Sequence, residues 1–215
     1  MTKPYKSVRE FHDAFNHTQA NKPTVIDEKT ALNRAVWTGE ELVEFLYATS
    51  EGNEDKFNKL MEDFIIGLKD AATKTLSKKP DVSDKLVAQM DALVDVMYFN
   101  YGTFAIGGVE PQPLFDIVQD ANMGKLWNDG KPRYRESDGK ILKPPHWEEE
   151  YAPEPRLKKE IERQYKENLR SLVDQSESDT NNIIKRLSEE TYYVNEVVVP
   201  ELKTRIEESV KMIKG

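Results

Sequence analysis

The chain has 215 residues, of which 38% are hydrophobic and 33% charged, with a formal net charge of -8 and no cysteine. These values exclude a disulfide scaffold, zinc–thiolate sites and a thiol nucleophile, and they argue against a basic surface for a nucleic-acid polymer. The opening MTKPYKSVREF has no apolar signal core and no segment is long and apolar enough to cross a bilayer, so the expectation is a soluble cytoplasmic protein with no membrane partner.

Ser7 followed by Glu10 reads as a capping box opening a short helix, and Pro23 makes ANKPTVID a loop. A helical pattern begins at Glu28. Thr38 and Gly39 interrupt it, and Thr38 with Glu41 repeats the capping-box pattern, so a break and restart is expected there. SEGNED ends the segment with turn chemistry. Phe57, Leu60, Met61, Phe64, Ile65 and Leu68 then recur at helical spacing until Pro80. Asp81 or Ser83 caps the next helix, which runs through DALVDVMYF to a stop at Gly107 and Gly108. PQPLFDIVQDANMGKLW is a further helix with proline in its first turn. After Trp127, paired Asp-Gly and clustered prolines make a long loop, with a small hairpin around SDGK.

From Glu154 the composition shifts. Leu157, Ile161, Tyr165, Leu169 and Leu172 fall on one narrow stripe, SESDTNN weakens or bends the helix, and Val199, Leu202, Ile206, Val210 and Ile213 mark a last helical face. These two helices pair with each other as a hairpin or with another subunit. No convincing strand and no internal repeat appears. The expected class is an all-α helical bundle over residues 1–153 with a C-terminal helical extension over 154–215.

Chemistry concentrates in acidic residues on apolar helices. Asp91 and Asp95 stand one turn apart, so they share a face, and Ala92, Leu93, Val94, Val96, Met97, Tyr98 and Phe99 surround them. Such a helix is expected to be mostly buried. Buried carboxylates need protons, basic partners or metal ions. Glu41 and Glu44 form a second acidic face in GEELVEFLYA. If the two helices pack antiparallel, Glu41, Glu44, Asp91 and Asp95 face one another across the seam. An all-oxygen group of this charge suits Mg²⁺, with Mn²⁺ as an alternative. Pairing of the aspartates with a base such as Arg34 is the structural alternative.

Asn122 and Lys125 in ANMGK are three residues apart, which allows either a phosphate site or a helix C-terminus with Gly124 as its stop. Lys140 and Lys143 either close over phosphates or are solvated loop lysines. Trp147 caps a base pocket or covers the bundle, with covering favoured. His12 is expected to be a hydrogen-bonded structural residue, and Tyr98 and Tyr101 to pack the core rather than stack on a base.

EELVE, DALVDVMYFNYGT, ANMGK and the tail DGK…GKILKPP, in that order, resemble the all-α NTP pyrophosphohydrolase superfamily. That group includes MazG-like proteins, dimeric dUTPases and phosphoribosyl-ATP pyrophosphohydrolases. VREFHDAF adds a resemblance to the phage and bacterial branch related to the last of these, and the likeness spans residues 7–150. It implies Mg²⁺-dependent hydrolysis of a nucleoside triphosphate between the α and β phosphates, in a homodimer or higher homo-oligomer. The family's ExxE falls on Glu41 and Glu44, and the aspartate of its ExxD on Asp95. The first position of ExxD is Ala92, so Asp91, one residue earlier, is the candidate replacement. Glu41 is the candidate general base, and the resemblance favours phosphate binding for Asn122, Lys125 and Lys143. The alternative, motivated by Ala92 and the charged C-terminal helices, is a catalytically impaired helical interaction or nucleotide-binding protein that keeps the fold.

Overall fold

The computed structural model describes residues 2–174 and 207–212. The described elements are helices, with one isolated antiparallel bridge, so the all-α class stands. The chain divides into two compact units. One holds the described residues up to Gln19 and from Tyr101 onward; the other is Ala20–Asn100. Among the described residues no helix is long and apolar enough to cross a membrane.

The first unit begins with α1 (Lys3–Ala14), whose N-cap is Thr2. The capping box at Ser7 is therefore not the helix start: Pro4 fits the first turn, where its missing N–H costs nothing, and Ser7 lies one turn further in. α1 packs on α5 (Pro111–Met123), and α5 packs on α7 (Pro153–Asp174). Across the first contact Gln119 donates to the carbonyl of Ser7 at 2.9 Å, and Lys3 pairs with Asp116. Across the second, Arg156 reaches Asp120 at 2.6 Å. Phe15, Ala121, Trp147 and Leu169 are its buried apolar residues. Leu157, Ile161 and Tyr165 are half-buried on the expected stripe of α7. The small hairpin around SDGK is present, with Tyr134 bridged to Ile141. Tyr134 also donates its hydroxyl to the carbonyl of Phe15 at 2.5 Å, which pins the hairpin to the end of α1.

The second unit is a helical hairpin of α2 (Glu28–Thr49) and α3 (Glu54–Lys78), with most of α4 (Lys85–Ile106). Asp27 caps α2 by accepting from the N–H and hydroxyl of Thr30, and these bonds hold its carboxyl below the usual carboxylate range. α2 runs unbroken through Thr38 and Gly39, against expectation. The Thr38 hydroxyl donates to the Arg34 carbonyl at 3.0 Å, so the residue is satisfied inside a helix instead of ending one. Ser50, which is buried, and the exposed Glu51 and Gly52 make the turn into α3, and Tyr47 meets Phe57 edge to face at 5.3 Å across it. Asn53 caps α3.

Asp84, rather than Asp81 or Ser83, caps α4, accepting from Val87 N at 3.1 Å; Asp81 closes a local turn onto Ser83 instead. Gln89 ties α4 to the segment before α2, donating to the Ile26 carbonyl at 2.8 Å and accepting its N–H at 2.9 Å. α4 ends at Ile106 before Gly107 and Gly108, as the sequence suggests. Of the expected C-terminal hairpin, the first helix is α7, and the second lies outside the described residues apart from a helical stretch over 207–212, in which Val210 is half-buried.

Candidate functional site

Two groups of candidate residues are separated by unit. In the second unit, α2 presents Glu41 and Glu44 and α4 presents Asp91 and Asp95, and all four are exposed. The burial expected of α4 is not found. Leu93, Val94, Val96 and Met97 are exposed as well, and so are Tyr98, by 75%, and Tyr101, so neither tyrosine packs the core as expected. The reason is that an apolar surface signals a need for cover, whereas the contacts of α2 are made mainly with α3 and α4 is tied in through Gln89. Arg34, the alternative partner of the aspartates, instead lies over the Trp37 ring at 5.5 Å. The anticipated four-carboxylate seam is not assembled: among the described residues no three metal-ligating side chains come together. What the helices offer is two carboxylate pairs at spacings of one turn. Mg²⁺ binds through one or two carboxylates and keeps its remaining positions for water and phosphate oxygens, so the donor chemistry of each pair fits it.

In the first unit a cationic group is assembled at the end of α5. The helix stops at Met123, so Lys125 sits in the following turn instead of on the helix. Its ammonium bends back to donate to Asn122 Oδ1 at 2.7 Å, which joins the two expected phosphate ligands directly. Burial lowers the Lys125 pKa, and the positive charges of Lys143 and then Lys140 lower it further. The hairpin brings those two lysines in. Arg135 N bonds the Lys140 carbonyl at 2.8 Å and Leu142 N bonds the Arg133 carbonyl at 2.8 Å, so the loop folds back on itself. The Lys143 ammonium lies 3.7 Å above the Trp147 ring and reaches Glu148 Oε1 at 2.8 Å. Like charges near a half-buried ammonium are unfavourable, and an anion in their midst relieves them.

The sequence reading missed α6 (Trp147–Tyr151), a single turn placed within the expected loop. Trp147 does cover the bundle, at 5% exposure, but its indole N–H also donates to the Ala121 carbonyl at 2.8 Å. Tyr151 packs so closely on Gly124 that a Cβ there would collide with its ring. The signal was present in the spacing of Trp147 and Tyr151, four apart with three glutamates between, though at five residues the helix is too short for periodicity to reveal. His12 has the structural role expected, with Nδ1 3.0 Å from the Thr18 carbonyl.

The family model described as phosphoribosyl-ATP pyrophosphohydrolase matches residues 8–122, more than half of the chain. Among solved structures, the chain is similar to a protein from Exiguobacterium sp. 255-15, determined at 1.78 Å and named as a candidate NTP pyrophosphohydrolase. The two share 45% identity with a TM-score of 0.72, over 78% of this chain and 98% of that one. No curated protein matches.

Proposed function

Because this chain belongs to the phosphoribosyl-ATP pyrophosphohydrolase family, we propose that it is a Mg²⁺-dependent nucleoside triphosphate pyrophosphohydrolase of the cytoplasm. Pyrophosphohydrolase chemistry comes with the family; the triphosphate substrate and the metal are the proposal. The observation that carries it is the half-buried Lys125, bonded to Asn122 Oδ1 at 2.7 Å and within electrostatic reach of Lys140 and Lys143, an arrangement that suits a polyphosphate anion.

Glu41 with Glu44, or Asp91 with Asp95, would hold the metal as a carboxylate pair, and the metal when bound would offset the charge of the phosphate chain. Glu41 acts as general base and takes a proton from the attacking water. The water oxygen bonds to phosphorus, the bridge between the α and β phosphates breaks, and pyrophosphate leaves with the bridging electron pair. Asn122, Lys125 and Lys143 take phosphate oxygens through an amide and two ammonium groups. The exposed apolar residues of α4 are covered by a second copy of the chain, giving a homodimer or higher homo-oligomer. A monomer seldom leaves so continuous an apolar helix in water.

The test is pyrophosphate release from a panel of canonical and modified nucleoside triphosphates and phosphoribosyl-ATP, with and without Mg²⁺ or Mn²⁺. Release from a triphosphate is expected only with metal, and Glu44→Gln and Asp95→Asn should each lower it by about two orders of magnitude. Turnover of phosphoribosyl-ATP alone would overturn the substrate reading. The second reading, nucleotide binding without turnover, is favoured by Ala92 at a ligand position. It predicts saturable nucleotide binding and no pyrophosphate from any substrate.

A further inference from the structure

We propose that Trp147 is a positioning residue for the phosphate site, and that Glu148 is the internal counter-ion a phosphate displaces there. The inference rests on the phosphate-binding reading of Asn122, Lys125 and Lys143. Lys143 lies in a loop, and a solvated loop lysine loses side-chain freedom on binding an anion. Trp147 removes much of that freedom beforehand. Its ring face carries the Lys143 ammonium at 3.7 Å, a distance at which the quadrupole attraction is strong. The ring is itself fixed, because it is buried and its N–H is bonded to the Ala121 carbonyl. Ala121 precedes Asn122, whose Oδ1 holds Lys125. One indole therefore joins the loop lysine to the helix end that carries the other two ligands.

Glu148, next in sequence, supplies Lys143 with a carboxylate at 2.8 Å while remaining 70% exposed. A carboxylate so exposed is a weak and exchangeable partner. It neutralises Lys143 in the free protein and leaves Lys125 and Lys140 to draw in an anion. A ligand of two or more phosphoryl groups, able to reach more than one ammonium, competes best for the place Glu148 holds.

The experiment is calorimetric titration of the full chain with inorganic pyrophosphate, without metal, at matched folded content. Lys125→Met should weaken binding about tenfold, and Trp147→Leu about fivefold, whereas Trp147→Phe, which keeps a ring face, should recover most of the loss. In a Lys143→Met background, Trp147→Leu should cost nothing further, because the indole acts through that ammonium. Glu148→Gln should tighten binding about threefold. Unchanged binding in Lys125→Met overturns the phosphate reading itself. Loss in Lys125→Met with no loss in Trp147→Leu, or a Trp147→Leu loss that persists without Lys143, overturns the positioning role alone. Should Trp147→Leu fail to fold, Trp147→Phe and Glu148→Gln carry the test: near-normal binding in the first with tightening in the second supports the proposal, and unchanged binding in Glu148→Gln overturns it.

Discussion

Gln164 on α7 grips the backbone of Glu110, accepting its N–H at 2.8 Å and donating to its carbonyl at 3.0 Å. Glu110 is the N-cap of α5, so one buried carboxamide sets where α5 begins relative to α7. Gln164→Leu would strand two partly buried backbone groups. We expect a loss of about 2 kcal/mol in urea unfolding, with secondary structure content unchanged at low denaturant.

The same carboxamide also donates to Glu160 Oε1 at 3.0 Å. The Arg163 guanidinium, with help from Gln164, holds the Glu160 carboxyl down at about 2. A carboxyl depressed in the folded state stabilises it above the unfolded pKa, and that contribution fades as pH falls toward the folded value. Stability should therefore drop between about pH 4.5 and about pH 2 by a component of at most about 1 kcal/mol, screened because Arg163 is half exposed. Glu160→Gln should remove that component, and comparing thermal midpoints of the two proteins across this range checks it. Equal slopes would refute the assignment.

Gly124 closes α5 under the ring of Tyr151 at a negative φ, so alanine meets a packing obstacle there and no backbone strain. Gly124→Ala should cost about 1–3 kcal/mol by overpacking. Tyr151→Ala in the same chain should make the glycine replaceable, and a double-mutant cycle in chemical unfolding measures the coupling.

The exposed face of α4 gives the assembly prediction. Val94→Glu or Met97→Glu places charge among residues exposed in the single chain. Neither should destabilise the fold by more than about 0.5 kcal/mol. Light scattering after gel filtration should show the oligomer shifting to monomer. A wild type already monomeric at micromolar concentration would remove the basis for a second copy.

Helix positions were legible wherever apolar periodicity was long. Phe57 to Leu68 marked α3, and the stripe from Leu157 marked α7. The reading failed where a side chain could satisfy itself in two ways. Thr38 is as able to bond its own helix at Arg34 as to cap a new one, and only the fold chooses. It failed again on α4, because DALVDVMYF specifies a surface that needs cover without saying which chain provides it. At the proposed phosphate site, the pairing of Asn122 and Lys125 was readable from their spacing. Trp147's part was not, since it depends on meeting Ala121, 26 positions earlier in the chain.

The bond from Gln119 to Ser7 spans 112 positions, and everything between Ala20 and Asn100 belongs to another compact unit. Closing so long a loop carries an entropic cost that local helix formation cannot offset early. During synthesis α1 emerges before α5, and the surface it packs on is translated about 100 residues later, on the order of ten seconds at ribosomal speed. The inserted helices can form in that interval, while α1 waits as an amphipathic segment with its apolar side uncovered. Nascent-chain quality control would therefore meet this protein at α1.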